Sequence, residues 1–451
     1  MNQDKLLELC KYTVSKAESM GIPVVEVQAK STSQVQSDIE LAQISSVSNN
    51  QSDQLAIRIY LDKRMGCSFT NILTESASEK ALKMALSSAK ATTADEDWIS
   101  LSTSQQYPTL EGLWDEDAAT CKPSKIVELT SEILGKASTA EAGMVPVYGG
   151  TSSIVGYNAY ANSNGVSQSE RGTAGFIMMA AIAQTSAGVT PMISAYDISR
   201  GINFKIDETI QDLAENVRIC KKIVEGKSGK QTVLMHPFAY GQIFTYTLLM
   251  SIRGDNVARG KSMIADRLGD TVAPKKISLY DDGLYSGAFN TGIADDEGVP
   301  HQKTPIIEDG VLRSFLWDTY WANKMGAEST GNAARSARQG LMEISPTTIT
   351  IEPGNKEFRD IISDIDYGYY IRNVQGAHSS NPESGDFSVV GNPAVLVKDG
   401  EMVGAVNGLM ISGNVFELLN QVDQIAKTPH MFDDMVAPEI SFSDVNVITR
   451  G

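Results

Sequence analysis

The chain has four histidines, His236, His301, His378 and His430, the side chains best suited to ligate a metal or carry protons near neutral pH. No two of them fall within one helix or strand of each other. No H-x-x-H or H-E-x-x-H pair can therefore offer zinc two imidazoles from a single element. His236 has the most suggestive setting, Met235-His236-Pro237-Phe238-Ala239-Tyr240-Gly241-Gln242. The strand-like run Gln231–Met235 leads into it, and Pro237, a favoured first helical residue, follows. At such a junction a histidine can be a metal ligand or a polar cap on a buried helix.

The densest local chemistry lies in Gly376–Ser388 (GAHSSNPESGDFS), which gathers His378, Asn381, Glu383, Asp386 and Ser388 between glycines. One reading is an Ω-like loop whose side chains satisfy their own backbone. The other is a binding loop on a rigid sheet, in which His378 could act as the base of a stand-alone hydrolase. Asn414, after Ser412-Gly413, reads as a helix N-cap and completes the candidate set. Two phosphate-loop near misses fail on spacing. Gly226-Lys227-Ser228 has Lys221 where the first glycine belongs, and Gly260-Lys261-Ser262 has Gly254 one residue too far upstream. Neither G-x-S-x-G nor G-x-G-x-x-G occurs, so a nucleophile elbow and a dinucleotide fold have no support.

Length and composition frame these residues. At 451 residues the chain suggests two or three domains, and its 42% hydrophobic and 21% charged content is that of an ordinary globular protein. A net charge of −17 without a basic cluster argues against nucleic acid or anionic lipid as a partner. No apolar run reaches the ~18 residues of a membrane span. The opening MNQDKLLELCKYT lacks a basic stretch followed by an apolar one, so it does not read as a signal peptide. Cys10, Cys67, Cys121 and Cys220 are scattered, which fits reduced thiols and a cytoplasmic location.

The elements that must position the candidates follow from periodicity. Helices are expected at 4–19, 76–92, 122–137, 207–225, 238–252 and 415–426. Strands are expected at 23–30, 39–47, 54–61 and 64–70, and through much of 145–194, with Asn164-Gly165 as a hairpin turn. Gly226–Lys230 is a polar glycine break, giving domains of 1–226 and 227–451. Beyond it, 305–316 and 394–405 both read as hairpins on an Asp-Gly turn. The fold class is α+β, with an N-terminal α/β region and a mainly antiparallel C-terminal half.

In the C-terminal half, Arg253–Ser262 (RGDNVARGKS), Tyr280–Gly283 (YDDG), Asp295–Pro300 (DDEGVP), Ser329–Ala333 (STGNA), Gly376–Ser388 and Gly408–Phe416 (GLMISGNVF) together resemble the TldD/PmbA family. The resemblance implies an N-terminal α/β region, itself two-lobed or single, before a C-terminal domain of curved antiparallel sheet. It also implies a cytosolic proteolytic assembly, and members are associated with maturation of a peptide antibiotic, antitoxin degradation and modulation of DNA gyrase. TldD-type subunits carry H-E-x-x-x-H and a downstream cysteine as a zinc site. PmbA-type subunits, also called TldE, share the fold, lack those ligands and pair with TldD. Carried onto this sequence, the first histidine is His236, the glutamate position is Pro237 and the second histidine position is Gly241. No cysteine follows Cys220. Zinc peptidase chemistry needs about three protein donors, and a carboxylate to take the proton of the bound water. The expectation is thus a PmbA/TldE-type subunit that pairs with a TldD-like zinc peptidase on peptide or unfolded protein. Alone it is expected to dimerise and to hold neither metal nor cofactor. Its candidate cleft residues are His236, His378, Asn381, Asp386, Ser388 and Asn414. A stand-alone hydrolase and a homo-oligomeric peptide-binding protein are the alternatives.

Overall fold

Leu6, Leu9, Cys10, Thr13, Val14 and Ala17 recur at helical spacing and are all buried on one face of the helix Gln3–Ser19. Asn2 caps that helix by accepting the Lys5 N–H at 3.2 Å. A second helix, Glu75–Ala91, is capped by Thr74 and packs with the first over the strands that follow. The computed structural model describes residues 1–185, 188–336, 341–432 and 434–449. It is an α+β fold in which one sheet draws its strands from residues 24–199 and the remaining sheets draw theirs from 229–448.

The first sheet is antiparallel throughout. Its order is Arg64–Thr70, Gln43–Leu61, Val24–Glu40, Met144–Asn162 and Ser167–Thr185, with Gly188–Val189 and Ile193–Ser199 both pairing with the last. The strand expected over 39–47 does not exist as one piece. The chain turns at Leu41-Ala42, with φ of 48° and 62°, and Glu40 pairs with Gln43. Neither residue signals a turn. A left-handed residue costs about 1–2 kcal/mol, and the long ladder between Val24–Glu40 and Gln43–Leu61 outweighs that strain.

Beyond residue 229, a nine-stranded sheet centres on Gly229–Met235, which lies antiparallel to Ile440–Ile448 and parallel to Tyr367–Ile371. A six-stranded sheet holds Leu279–Asp282, Ile349–Ile351, Met435–Ala437 and His430–Phe432. The two Asp-Gly hairpins form as the sequence predicts, with Asp309-Gly310 and Asp399-Gly400 all at positive φ.

Three helices end early. The helix Ile206–Cys220 stops short of 225 because Val224 donates to the Ala405 carbonyl and joins the second sheet. The expected 238–252 helix breaks at Thr247, leaving Pro237–Tyr246 and Leu248–Ser251. The last helix is Val415–Asn420, since Val422–Ile425 pairs with Ile440–Ile448 instead.

Among the contacts that join the halves, two stand out. The helix Ile206–Cys220 shares one core with Ile177 and Met179 of the first sheet and with Leu234, Tyr370 and Val397 of the second. Elsewhere a buried charge cluster spans them. Glu26 meets Arg335 at 2.5 Å and Arg58 at 2.7 Å, and Arg58 meets Glu297 at 2.7 Å. Burial pushes the Glu26 carboxyl up, but Arg58 and Arg335 more than offset it and hold it below the ordinary range. Among the described residues no helix is long and apolar enough to cross a membrane.

Candidate functional site

The strand Gly229–Met235 is fixed on both sides, Met235 lying opposite Ile440 on one neighbour and Ile371 on the other. Ladder bonding continues one residue further, the His236 N–H donating to the Ile371 carbonyl at 2.9 Å. Pro237 then starts the helix. The His236 side chain caps it, Nδ1 accepting the Phe238 N–H at 3.1 Å. The same ring lines an open cavity of about 970 Å³ bordered by elements from both halves, among them Ile193–Ser199 and the helix Ile206–Cys220. Burial, then the Arg372 charge, then His430 hold His236 well below the usual imidazole range, so it is neutral at pH 7.

His430 faces it, the ring centroids 5.0 Å apart. The short hairpin of His430–Phe432 with Met435–Ala437 carries His430, and Glu439 stands just ahead of the strand Ile440–Ile448. His430 Nε2 lies 3.0 Å from Glu439 Oε1. Glu439 is only 4% exposed, and its Oε2 finds no hydrogen-bond partner among the described protein groups. The candidate ligand atoms of His236, His430 and Glu439 all lie within 4.8 Å of one another. Beside them Arg372 forms a two-point bond to Asp212, with Nη1 to Oδ1 at 3.0 Å and Nη2 to Oδ2. Tyr196, Phe238 and Phe432 make an aromatic cluster alongside, Phe238 and Phe432 meeting edge to face at 4.1 Å between centroids.

Of the six residues marked in the sequence, His236 lines this cavity and the other five stand apart from it. His378, Asn381, Asp386 and Ser388 are exposed. Asn381 Oδ1 accepts the backbone N–H groups of Glu383 and Ser384. Asn414 caps its helix through Phe416 and donates to Asp386 Oδ1 at 2.9 Å and to the Ser384 carbonyl at 2.7 Å. The loop thus brings Asn381, Asp386 and Asn414 into one network that spends much of its polar capacity on itself.

Sequence reasoning did not bring His430, Glu439, Arg372 and Asp212 together with His236. Strand order, which no local spacing encodes, is what assembles them. The only local hints are charged residues at the ends of apolar strands, Arg372 after Tyr-Tyr-Ile and Glu439 before Ile-Ser-Phe.

The zinc set that the family resemblance implies does not fit. Position 237 is proline and position 241 glycine, and a Cβ at 241 would come within 3.2 Å of the Met435 sulfur. A side chain at 241 would therefore press on the end of Met435, which would have to give by a few tenths of an ångström. The last cysteine, Cys220, is buried, which pushes its thiol up to about 12 and away from the thiolate a metal takes.

Fold and sequence place the chain in a class of metallopeptidase-related proteins. Residues 228–449 match the PmbA/TldA metallopeptidase C-terminal domain and residues 25–92 match PmbA/TldA metallopeptidase domain 1. The chain belongs to the TldD/PmbA family. It superposes on the crystal structure of TldE from Thermococcus kodakarensis with a TM-score of 0.92, at 30% identity over 97% of this chain and 99% of that one. An uncharacterised protein of Methanocaldococcus jannaschii is 29% identical over 98% of this chain and 99% of its own. A metalloprotease of the same organism is 30% identical over 44% of each chain.

Proposed function

We propose that this chain is a non-catalytic TldE-type subunit that acts in proteolysis together with a TldD-type metalloprotease. The observation that carries this reading is the helix at Pro237. It keeps one histidine of the family motif, replaces the glutamate with proline, and has glycine at the second histidine position. Without a carboxylate at 237 the helix has no group there to accept a proton from an attacking water. The likeness to TldE along nearly the whole chain supports the same reading. Under it the division at 226/227 separates an N-terminal domain from the C-terminal TldD/PmbA domain. The isolated chain is a cytoplasmic homodimer, and the cavity at the junction of the two halves receives part of a peptide or unfolded protein.

The test is reconstitution with a TldD-type metalloprotease from the same source. Co-elution, with peptide cleavage by the mixture and none by this chain alone, is the expected result. Independent elution with no gain in cleavage overturns the reading. So does metal-dependent cleavage by this chain alone. Cleavage that persists in chelator and is lost in His378→Ala would instead point to the Gly376–Ser388 loop.

A further inference from the structure

We propose that His236, His430 and Glu439 form a binding site for one divalent cation of the zinc class, built from a donor set different from the one the family resemblance implies. Two imidazoles and a carboxylate are a donor combination that suits zinc and its neighbours in the first transition row. The three come from separate, well-anchored places: the end of one strand, the start of a short hairpin, and the residue before a long strand.

Geometry favours a shared ion. Donors on one zinc, each about 2.0–2.2 Å from the metal, stand roughly 3.3 Å apart. His430 Nε2 and Glu439 Oε1 are already 3.0 Å apart, and all three candidate donors lie within 4.8 Å. Closing that gap needs a movement of at most about 1.5 Å, shared among side chains that can rotate.

The second, independent observation is Glu439 itself. A carboxylate 4% exposed whose Oε2 has no hydrogen-bond partner among the described residues is costly, and such atoms in native structures normally meet a ligand, a water or an ion. Arg372, which bonds Asp212 through Nη1 and Nη2, is not a hydrogen-bond partner of this oxygen. Two neutral rings and one carboxylate would leave a bound dication with a single net charge, and the cavity of about 970 Å³ gives it room for solvent or ligand oxygens.

One local contact must change. While Nδ1 of His236 accepts the Phe238 N–H, the ring proton sits on Nε2. Binding the cation at Nε2 moves that proton to Nδ1 and releases the cap. A cap is worth roughly a fivefold factor in an equilibrium constant. That is small against the affinity a three-donor site supplies, and it gives the site a signature in the Phe238 amide.

The experiment uses the full chain, stripped with chelator and titrated with Zn²⁺ and Co²⁺. One equivalent is expected to bind, Co²⁺ giving visible bands of four- or five-coordinate geometry, with a shift of the Phe238 amide resonance. His430→Ala and Glu439→Gln are each expected to weaken binding at least tenfold, whereas His378→Ala, on the exposed loop, leaves it unchanged. Because Glu439→Gln keeps the side-chain shape, it stays informative if His430→Ala disturbs the hairpin. Absence of saturable binding, or binding that both variants leave intact, overturns the proposal. The proposal stands apart from the subunit reading. Cation binding without cleavage leaves both in place, and cleavage by the loaded chain alone removes only the subunit reading.

Discussion

At Glu26–Arg58–Glu297–Arg335, two carboxylates meet two guanidinium groups, and all four side chains are buried. At His236–His430–Glu439, an equally buried carboxylate meets two imidazoles and keeps one oxygen without a partner, beside open volume. The first cluster ties the N-terminal sheet region to the C-terminal half, whereas the second lies within the C-terminal half and lines the cavity between the two. The first is closed chemistry, with charge balanced by charge and the Tyr160 hydroxyl adding a bond to Glu26 at 2.8 Å. The second is unfinished by protein atoms alone. Buried ionic groups are tolerated when they are paired and hydrogen-bonded. Charge balanced by charge therefore marks a structural joint, and the carboxylate beside open volume marks the proposed cation site.

The largest expected effect comes from breaking the balanced cluster. Arg335→Met leaves Glu26 with one cationic partner and should cost about 3–5 kcal/mol in denaturant unfolding. A loss below 1 kcal/mol would show that the cluster is not a structural joint. A smaller, pH-dependent effect should appear at its margin. Burial and then the Glu297 charge raise the Asp318 carboxyl from 3.8 to about 7. Between those values the folded protein holds a proton that the unfolded chain has released, so this group's contribution to stability falls as pH rises from about 4 to 7. Asp318→Asn keeps an acceptor for the Trp321 N–H and should flatten that slope, with a gain in stability at pH 8 measured against the parent protein.

Asn414→Ala, outside both junctions, provides the scale of an ordinary cap and should cost about 1 kcal/mol. The smallest change is expected at Glu439→Gln in metal-free protein. It keeps the shape of a side chain whose Oε2 makes no hydrogen bond to the described protein groups, so the loss should stay under about 1 kcal/mol. If it instead costs as much as Arg335→Met, the contrast between the two junctions disappears.

Local chemistry made much of the fold legible. Asp309-Gly310 and Asp399-Gly400 announced their hairpins, Asn164-Gly165 its turn, and Pro237 its helix start, because each needs a backbone conformation that few residues supply. Leu41-Ala42 was illegible for the same reason, since neither residue favours the left-handed turn that pairing along the sheet imposes. Helix ends were misread wherever a β-branched tail, such as Ile223-Val224 or Val422–Ile425, found a strand to pair with. His236 was visible from its setting. Its neighbours His430 and Glu439 were not, because the hairpin of His430–Phe432 with Met435–Ala437 and the placement of Ile440–Ile448 beside Gly229–Met235 bring them there.

The balanced charge cluster also orders events in time. Glu26 and Arg58 are synthesised well before Glu297 and Arg335, which come much later in the chain. At about 5–20 residues per second, tens of seconds separate the emergence of the two pairs from a ribosome. Through that interval the early sheet can form its ladders and pack its helices, but the Glu26–Arg58 pair lacks half of its final neighbours. The N-terminal half therefore waits on the C-terminal half to reach its final stability, and a chain truncated before Glu297 should be the form most exposed to proteolysis.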